Sequence, residues 1–385
     1  MTFDVHATRC SDYAPERLYK ELKEHLDRYE GFKDLKRKKV LLKVNLLSAS
    51  APERAITTNP TFVEVLIGVI KERGGKVLIA DSPGGLFNRT LLERAYEASG
   101  LKEVAERTGA ELNYDTGSHE ETVLSARFVK RFNICDFTRN ADIIIALPKL
   151  KTHMFCGLTC ASKIMFGIVP GTEKVRYHAR FPDPNDFCKM LLDLSDLSRV
   201  DLFMVDAITG MDQEGPSKGR LRDIGVIISG KDPVLVDRFA CEMVGLDPKE
   251  IGITKAAIAT GRIGEVASVN ASGSAARFKL DPPFDFEPAG SITRRPPRTA
   301  KRLVMNITTK KPRIYRRSCT GCGVCRDNCA GDAIAIVDDK AVIDYSKCIR
   351  CYCCHELCPY DAVYLPKGVS GARKRIENVM FKVFD

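Results

Sequence analysis

Eight cysteines in the C-terminal region repeat one spacing twice. They form the runs Cys319-x2-Cys322-x2-Cys325-x3-Cys329 and Cys348-x2-Cys351-x2-Cys354-x3-Cys358. Thiolates at two-residue steps can bind three corners of an iron–sulfur cube, and the fourth cysteine of each run then completes the other cube. We therefore predict two [4Fe–4S] clusters. Their ligands are Cys319, Cys322, Cys325 and Cys358 for the first cluster, and Cys348, Cys351, Cys354 and Cys329 for the second.

The competing interpretation is a pair of zinc sites, because C-x2-C pairs also occur in zinc ribbons. A zinc site needs two such pairs, whereas each run here has a third cysteine after two residues and a fourth after three. The spacing therefore favours iron–sulfur clusters. Cys353 is a ninth cysteine inside the second run, and we predict that its thiol packs beside the cluster.

A second group of reactive side chains lies in the segment 148–153, which reads PKLKTH. Lys149 and Lys151 are two residues apart in a predicted extended loop, so they project to the same side, with His153 close by. Two ammonium groups suit a carboxylate or phosphate ligand, and the imidazole can move a proton. The alternative is a solvated lysine loop with a structural histidine. His153 also forms an H-x2-C-x3-C pattern with Cys156 and Cys160, which leaves a metal site open.

Alternating strands and helices precede the cysteine runs. The predicted strands are 39–47, 76–81, 142–147, 201–208 and 225–229. A helix is predicted to begin at Asn59-Pro60, where Asn can cap it and Pro suits its first position, and to end at Gly74-Gly75. Another is predicted over 233–244. Helices between apolar strands indicate an α/β fold with a mostly parallel sheet flanked by helices, followed by a small α+β ferredoxin-like domain.

Polar residues at the carboxyl ends of parallel strands point into the crevice where ligands bind. This rule selects Asn45 after the first predicted strand, Asp81 and Ser82 after the second, and Asp206 within the fourth. The 149–153 segment follows the third strand. We predict that these side chains bind a cofactor or ligand.

The net charge of +10 is concentrated in one segment. Ten of the 60 Lys and Arg residues lie between Ser291 and Ser318, where no acidic residue occurs, and the remaining 50 balance 50 acidic residues. The ten are Arg294, Arg295, Arg298, Lys301, Arg302, Lys310, Lys311, Arg313, Arg316 and Arg317. The segment either wraps the acidic cysteine module or docks an acidic redox partner. Nucleic acid is not expected, because no aromatic residues alternate with these charges.

The pattern divides the chain into four parts. These are an α/β domain (1–270), a basic Pro/Arg-rich linker (271–314), a 2[4Fe–4S] ferredoxin domain (315–366) and an amphipathic helical tail (367–385). No signal peptide and no apolar run of roughly 18 residues is seen, so no transmembrane segment is expected. A cytoplasmic location follows as the expectation, and two low-potential clusters favour an anaerobic or well-reduced cytosol.

The N-terminal part resembles the DUF362 proteins, a family often fused to ferredoxin modules. The resemblance is carried by segments 43–45, 57–60, 81–84, 148–153, 166–170, 206–208, 215–216 and 232–234, with Lys163, His178 and Asp237. It implies an α/β fold, and it adds Lys163 and His178 to Lys149, Lys151 and His153 as candidate catalytic residues. A more distant likeness to lactate-racemase-type proteins concerns the fold alone.

Three functions are compatible with these features. The first is an iron–sulfur oxidoreductase, a ferredoxin-dependent reductase that passes electrons through the two clusters to a small anionic substrate or cofactor in the α/β domain. The second is a ferredoxin-like electron carrier that serves a redox partner protein. The third is an accessory protein that delivers a metal or cofactor. Polar residues at four strand ends favour the first, because a carrier does not need them.

Overall fold

The computed structural model describes residues 3–197, 199–265, 269–286 and 309–366. The predicted helical tail at 367–385 lies outside these ranges. So do five residues of the basic segment, namely Arg294, Arg295, Arg298, Lys301 and Arg302.

The N-terminal unit contains most of the regular structure. Its strands are β1 (Val5–Arg9), β2 (Lys39–Val44), β3 (Lys76–Ala80), β4 (Glu111–Leu112), β5 (Ser118–Thr122), β6 (Arg131–Cys135), β7 (Ile143–Leu147), β8 (Lys149–His153), β9 (Gly157–Thr159), β10 (Leu202–Asp212), β11 (Arg220–Gly230) and β12 (Ala271–Ser272). Its α-helices are α1 (Pro15–Asp27), α2 (Pro60–Glu72), α3 (Arg89–Ala98), α4 (Leu101–Thr108), α5 (Ala161–Ile164), α6 (Gly171–Arg180), α7 (Pro184–Asp196), α8 (Pro233–Met243) and α9 (Gly252–Ala259). Short 3-10 helices lie at Glu30–Phe32, Pro52–Arg54, Asp136–Thr138 and Met165–Ile168.

A ten-stranded mixed sheet forms the centre of this unit, with its main path in the order β12-β1-β11-β10-β7-β2-β3-β4. The pairs β10–β7, β7–β2, β2–β3 and β3–β4 are parallel, which confirms the predicted mostly parallel α/β fold. The strand predicted at 225–229 is part of the longer β11, which runs antiparallel to β10 and β1. The reason is local, because residues 213–219 join β10 to β11 directly, and such a short connection makes a hairpin.

Helices cover both faces of the sheet, as the apolar strand pattern predicts. Successive residues of β2 separate into two cores: Val40 and Leu42 pack with α1 and α2, whereas Leu41 packs on the side of α7 and α8. Lys43, on the Leu41 side, is therefore a lysine on a fully buried face, only 1% exposed. A charge in this position requires a partner from a neighbouring strand.

Helix α2 begins where the sequence predicts. The Asn59 side chain accepts hydrogen bonds from Thr61 N (2.9 Å) and Phe62 N (3.4 Å), and Pro60 occupies the first turn. The helix ends just before Gly74, whose φ of +85° is the left-handed conformation that glycine tolerates. The carboxyl end of α2 leads directly into β3, so the turn at Gly74 also determines where that strand enters the sheet.

Two segments differ from expectation. Residues 149–153 form the buried strand β8, which pairs with β10 and β9, rather than an extended loop. Residues 271–286, assigned to the linker, pack on the α/β unit: β12 pairs with β1, Phe284 is 5% exposed in the core, and Asp285 N donates to Asp212 Oδ2 (3.1 Å). These contacts attach residues 271–286 to the α/β unit, which therefore extends to residue 286. The sequence did not indicate them, because the contacting residues lie far apart in the chain.

The cysteine module is a small α+β unit. It contains β13 (Arg313–Ile314), α10 (Val324–Asp327), β14 (Ile334–Val337), β15 (Lys340–Ile343), α11 (Cys353–Glu356) and β16 (Val363–Tyr364). β13 pairs antiparallel with β16, and β14 with β15. Among the described residues of the whole chain, no helix is long and apolar enough to cross a bilayer.

The Asn59 cap generates a prediction about stability. Asn59→Ala removes the acceptor for two backbone N–H groups, so we expect the free energy of unfolding to fall by about 1 kcal/mol. Asn59→Ser supplies another capping oxygen and should retain most of the stability. Anaerobic denaturant titration followed by circular dichroism measures both variants, and equal losses in the two would contradict a capping role.

Candidate functional site

Four thiols of the cysteine module line one small cavity, and they come from both runs. They belong to Cys319, Cys322, Cys325 and Cys358. The first three surround the start of α10, whereas the fourth follows α11. This is the set that the spacing assigns to the first cluster. Four thiols around one cavity are the donors that a [4Fe–4S] cube requires, so the residues fit that group.

The other four thiols form a second group between the two short helices. The Cys329 thiol, just after α10, lies within electrostatic reach of Cys348 and Cys351, and the Cys354 thiol on α11 interacts with all three. Ala333 N donates to Cys329 Sγ at 3.2 Å. Backbone N–H donors of this kind stabilise thiolate ligands and tune a bound cluster.

A cleft of about 690 Å³, its open mouth included, lies where the carboxyl ends of β2 and β3 meet the cysteine module. From the cysteine module it is lined by Asn328, Cys353, Glu356 and Leu357. The first two residues immediately precede Cys329 and Cys354 in the chain. Gly84 allows the close approach, because a Cβ at this position would lie 2.9 Å from Leu357 Cδ2. The cleft therefore adjoins the second group of thiols.

A buried ion pair forms one side of the cleft. Lys43 Nζ lies 2.6 Å from Asp81 Oδ1, and Leu46 N donates to Asp81 Oδ2 at 2.6 Å. Burial raises the pKa of Asp81 and lowers that of Lys43, and the opposite charge of each partner acts against its shift. With its oxygens bonded to Lys43 and to backbone N–H groups, Asp81 orders the turn after β3 rather than presenting itself to a ligand.

Two further lysines line the cleft, and they differ in their bonding partners. Lys174 on α6 donates to Ser82 O and Pro83 O, and burial lowers its pKa to about 7. Lys163 on α5 is half-buried, and among the described residues no carboxylate lies within ion-pair distance of its Nζ. Its charge contributes to the lowered pKa of His178. Among the described residues Lys163 thus has no ion-pair partner, and the Glu356 carboxyl group at the same cleft interacts with its charge at longer range.

His178 lines the cleft as a neutral ring. It stacks on Phe187 with ring centroids 4.4 Å apart and also contacts Phe155 and Phe166. Burial in this aromatic cage, with Lys163 nearby, lowers its pKa to about 3. At neutral pH the imidazole therefore serves as a hydrogen-bonding group and not as a cation.

Lys151 and His153 lie behind the cleft on β8. Lys151 Nζ donates to Ile56 O, and burial together with Lys163 and Lys149 lowers its pKa to about 7. His153 Nδ1 accepts from Phe155 N and Cys156 N, so a neutral ring carries its proton on Nε2.

His153 meets the cysteine module at Glu356, one of the cleft-lining residues. His153 Nε2 lies 3.3 Å from Glu356 Oε1, at ion-pair distance but without hydrogen-bond alignment. The contact is close packing of two polar groups, because the Glu356 carboxylate, which is 9% exposed, receives no aligned hydrogen bond from the ring. His153, which the sequence predicted as a site residue, therefore contacts the cleft only through Glu356 of the cysteine module.

Lys149 and Asp206 are paired away from the cleft. Lys149 Nζ lies 2.8 Å from Asp206 Oδ2 and 2.6 Å from Tyr13 Oη, and Tyr13 Oη donates to Asp206 Oδ1 at 2.8 Å. Asn59 N donates to Asp206 Oδ2 as well. This closed network ties β8, β10 and the start of α2 together. The structure separates these two residues from Lys163, His178, Asn45, Asp81 and Ser82, which line the cleft.

Four buried polar atoms at the cleft have no hydrogen-bond partner among the described residues. They are Asn45 Oδ1, Thr159 Oγ1, His178 Nδ1 and Glu356 Oε1. A buried polar atom without a partner costs about 1–3 kcal/mol. Their concentration at one cleft, beside Lys163, is typical of a surface that binds a polar ligand.

The H-x2-C-x3-C pattern does not assemble a metal site. The Cys156 thiol interacts with Cys188, and the Cys160 thiol with Asp237, so the side chains do not converge with His153. Within the described ranges, no group of three or more His, Cys, Asp or Glu side chains is placed to hold a single metal ion.

Thr159, Lys174 and Glu356 line the cleft but were not selected from the sequence. Thr159 and Lys174 carry no signal of their own, because only the pairing of β9 with β8 and the packing of α6 against the turn after β3 bring them there. Glu356 has one recognisable signal, a carboxylate between the predicted ligands Cys354 and Cys358.

The lowered pKa of Lys151 predicts how stability depends on pH. The folded state loses this proton near pH 7, whereas the unfolded state keeps it up to its ordinary value of 10.5. The unfolded state therefore binds more protons between pH 7 and 10, so raising the pH stabilises the folded state through this group.

Lys151→Met removes this contribution. We expect the thermal midpoint of the wild type to rise relative to that of Lys151→Met as the pH increases from 7 to 9.5, measured anaerobically. Lys102→Met, which alters an exposed lysine paired with Glu97, should show no such pH-dependent difference. A constant difference for Lys151→Met across the range would mean that Lys151 stays protonated in the folded state.

Comparisons with known proteins agree with this two-part organisation. A 4Fe–4S dicluster domain profile matches residues 311–359. A thylakoid-associated protein of Synechocystis sp. is 30% identical over 218 residues, which cover 55% of this chain and 65% of that protein. The chain therefore spans just under two thirds of the curated relative.

Two solved structures align with part of this chain at low sequence identity. The lactate racemase apoprotein of Thermoanaerobacterium thermosaccharolyticum aligns with a TM-score of 0.41 and 14% identity, covering 63% of this chain and 57% of that one. A structural-genomics protein from Thermotoga maritima aligns with a TM-score of 0.39 and 13% identity, over 61% of this chain and 59% of that one. The DUF362 profile, a domain of unknown function, matches residues 40–242, which is more than half of the 385 residues. The chain belongs to the DUF362 family and carries a C-terminal ferredoxin-type module.

Proposed function

We propose that the protein is an iron–sulfur oxidoreductase that passes electrons through two [4Fe–4S] clusters to a small anionic substrate or cofactor in the cleft. One observation carries the proposal: helix α11, which bears Cys354, also forms a wall of the cleft through Cys353 and Glu356. A ligand in the cleft would lie against the same helix that holds one cluster. Bound clusters would supply single electrons at low potential, and the chain supplies the binding site.

The two groups of thiols differ in their surroundings, which supports an order of transfer. Each group has two buried cysteines, but the first also contains an exposed one, Cys322, whereas none of the four in the second is exposed. Arg316 and Arg317, close to the first group in sequence, are exposed as well. We infer that an acidic redox partner docks near Cys322, so that the second group faces the ligand.

Lys163 is the residue that we assign to the anionic group of the ligand. Its charge has no ion-pair partner within the described part of the chain, while Lys43 is neutralised by Asp81. Asn45 Oδ1 and His178 Nδ1 are unpartnered at the same cleft, where the amide oxygen would accept a hydrogen bond from the ligand and the ring nitrogen would donate or accept one according to its tautomer. Lys151 lies behind them and contributes to the positive potential of the cleft.

The architecture gives a physical reason for the fusion. A ferredoxin module held against the cleft delivers electrons without a bimolecular encounter at each transfer, which raises the effective concentration of the reductant. We place the protein in the cytoplasm, in a reducing environment, because cysteine-rich chains there bind metals rather than form disulfides.

The ligand sets predict iron content. Anaerobically purified protein should contain about eight irons per chain, and Cys354→Ala should lose about half of them, because one cube loses a corner. Cys353→Ala, which alters the adjacent residue, should keep all eight. Iron and sulfide analysis with absorbance spectroscopy measures this. Stoichiometric zinc without visible absorbance, or equal loss in the two variants, would contradict the assignment.

Lys163→Met should abolish transfer to the ligand while leaving the clusters intact. The assay reduces the clusters with dithionite, removes the excess and follows reoxidation by a panel of small carboxylates and phosphorylated metabolites. We expect at least one compound to reoxidise the wild type, and Lys163→Met to slow that reaction by about 100-fold or more, because a charged hydrogen bond contributes about 1.5–3 kcal/mol and orientation adds to it.

Lys102→Met is the matched control, since it removes an exposed lysine paired with Glu97. It should reoxidise at the wild-type rate. If no compound in the panel reoxidises the wild type while acceptor proteins do so readily, the chain is a carrier and the proposed oxidoreductase function is wrong.

A further inference from the structure

The hairpin that joins β10 to β11 (residues 213–219) reaches from the α/β unit into the cysteine module. Ser217 Oγ donates to Glu356 O at 3.0 Å, and Lys218 Nζ donates to Val363 O at 2.6 Å. Glu214 Oε2 lies 3.6 Å from His355 Nε2. Three successive contacts along one hairpin therefore attach it to α11 and to β16, the elements on either side of Cys358.

The hairpin itself is held by β8. Gly215 N donates to Thr152 Oγ1 at 3.2 Å, Thr152 Oγ1 donates to Gln213 O at 3.1 Å, and Met154 N donates to Gly215 O at 3.3 Å. These bonds connect it to the strand of Lys151 and His153. The position of Lys218 is thus set by the α/β sheet and not by the cysteine module.

Lys218 brings its charge close to the Cys358 thiol. Its side chain is 10% exposed, and its Nζ donates to Val363 O, one residue from Ala362, whose N donates to Cys358 Sγ at 3.2 Å. The charge interacts most strongly with the thiol of Cys358 and less with that of Cys354. Cys358 belongs to the set proposed for the first cluster, and Cys354 to the set for the second. Few charged side chains are buried this far without a full partner.

The nearby carboxylate does not neutralise this charge completely. Asp361 Oδ1 lies 3.7 Å from Lys218 Nζ, but it is also 3.3 Å from Arg54 Nη2, and its side chain is 54% exposed. Two cations share this solvated carboxylate, and the Glu214 carboxylate on the same hairpin also interacts with the Lys218 charge, without forming an ion pair. The charge of Lys218 is therefore offset only in part, and removing it makes the surroundings of the thiols more negative.

Such a charge has a definite effect on bound clusters. Four thiolates that held a bound cluster would carry one more negative charge together with it after one-electron reduction, because no bond would be made or broken. A fixed positive charge stabilises the more negative, reduced form and so raises the reduction potential. Because Lys218 interacts with one ligand from each set, it acts on both clusters.

We propose that Lys218 is a redox-tuning residue, by which the α/β unit raises the reduction potentials of the clusters in its own ferredoxin module. The inference rests on the two ligand sets but not on any substrate, so it stands apart from the oxidoreductase activity proposed above. It also gives the hairpin a role beyond attachment. The module docked on the α/β unit has a higher potential than the same clusters would have without this charge.

The test is a redox titration of the full chain with its clusters, followed by absorbance and EPR. We expect Lys218→Met to shift the midpoint potentials of both clusters to lower values, with iron content and EPR line shapes unchanged. Lys218→Arg keeps the charge and should restore the wild-type potentials. A merely structural role would not produce this pattern, because loss of packing affects the Arg and Met variants alike.

Arg54→Met is the matched control at the same interface, since it removes a cation that contacts Asp361 and is 40% exposed. Its effect on the potentials should be smaller and should decrease with added salt, unlike that of Lys218→Met. If Lys218→Met does not retain eight irons, Lys218→Gln gives the same comparison, because its amide can still donate to Val363 O.

Unchanged potentials in an iron-replete Lys218→Met or Lys218→Gln variant would overturn the proposal. So would equal decreases in Lys218→Arg and Lys218→Met, which would show that packing and not charge is responsible. Loss of the reoxidation activity proposed for the cleft, with the Lys218 pattern intact, would reject only the oxidoreductase function.

Discussion

The packing of helix α11 against the carboxyl ends of the parallel strands is the contact on which the candidate site depends. It closes the cleft on one side through Glu356 and Leu357, and it brings the helix that carries Cys354 next to Lys163 and His178. Close approach is possible because the turn after β3 contains glycine, so that Leu357 meets backbone instead of a side chain. Without this contact, the strand-end residues and the thiols would belong to separate units.

Charge compensation distinguishes the paired lysines of the sheet from Lys163. Lys43 and Lys149 are fully buried, but Asp81 and Asp206 neutralise them, and these pairs hold adjacent strands together. A buried pair of this kind is expensive to break, because one partner would remain as an uncompensated charge. Lys163 lacks such a partner among the described residues, and its charge is therefore available to a ligand. Incomplete charge compensation also distinguishes Lys218, whose carboxylate partner Asp361 is shared with Arg54, from the exposed ion pairs of the surface.

Much of the fold could be predicted from local patterns. Strands β2, β3 and β7 are predominantly apolar runs, interrupted in β2 by Lys43, and the Asn59-Pro60 start and the Gly74-Gly75 end define α2 without reference to the rest of the chain. The prediction was wrong for 149–153, which was expected as a loop because its lysines are polar. β8 buries them in the sheet because Asp206 and Ile56 O satisfy their ammonium groups. These partners lie 57 and 95 residues away, so no local pattern in the sequence indicates them.

The cysteine spacing alone indicated the iron–sulfur module, because the ligands of one cluster are mostly close in sequence and their geometry follows from short loops. The sequence also predicted that Asn45, Asp81 and Ser82 lie near a common edge, since parallel strands end on one side of a sheet, and it added Lys163 through the family resemblance. It could not tell which lysines are neutralised, nor that Thr159, Lys174 and Glu356 complete the cleft. Those features depend on ion pairs and packing between segments far apart in the chain, and only the tertiary structure decides which side chains meet.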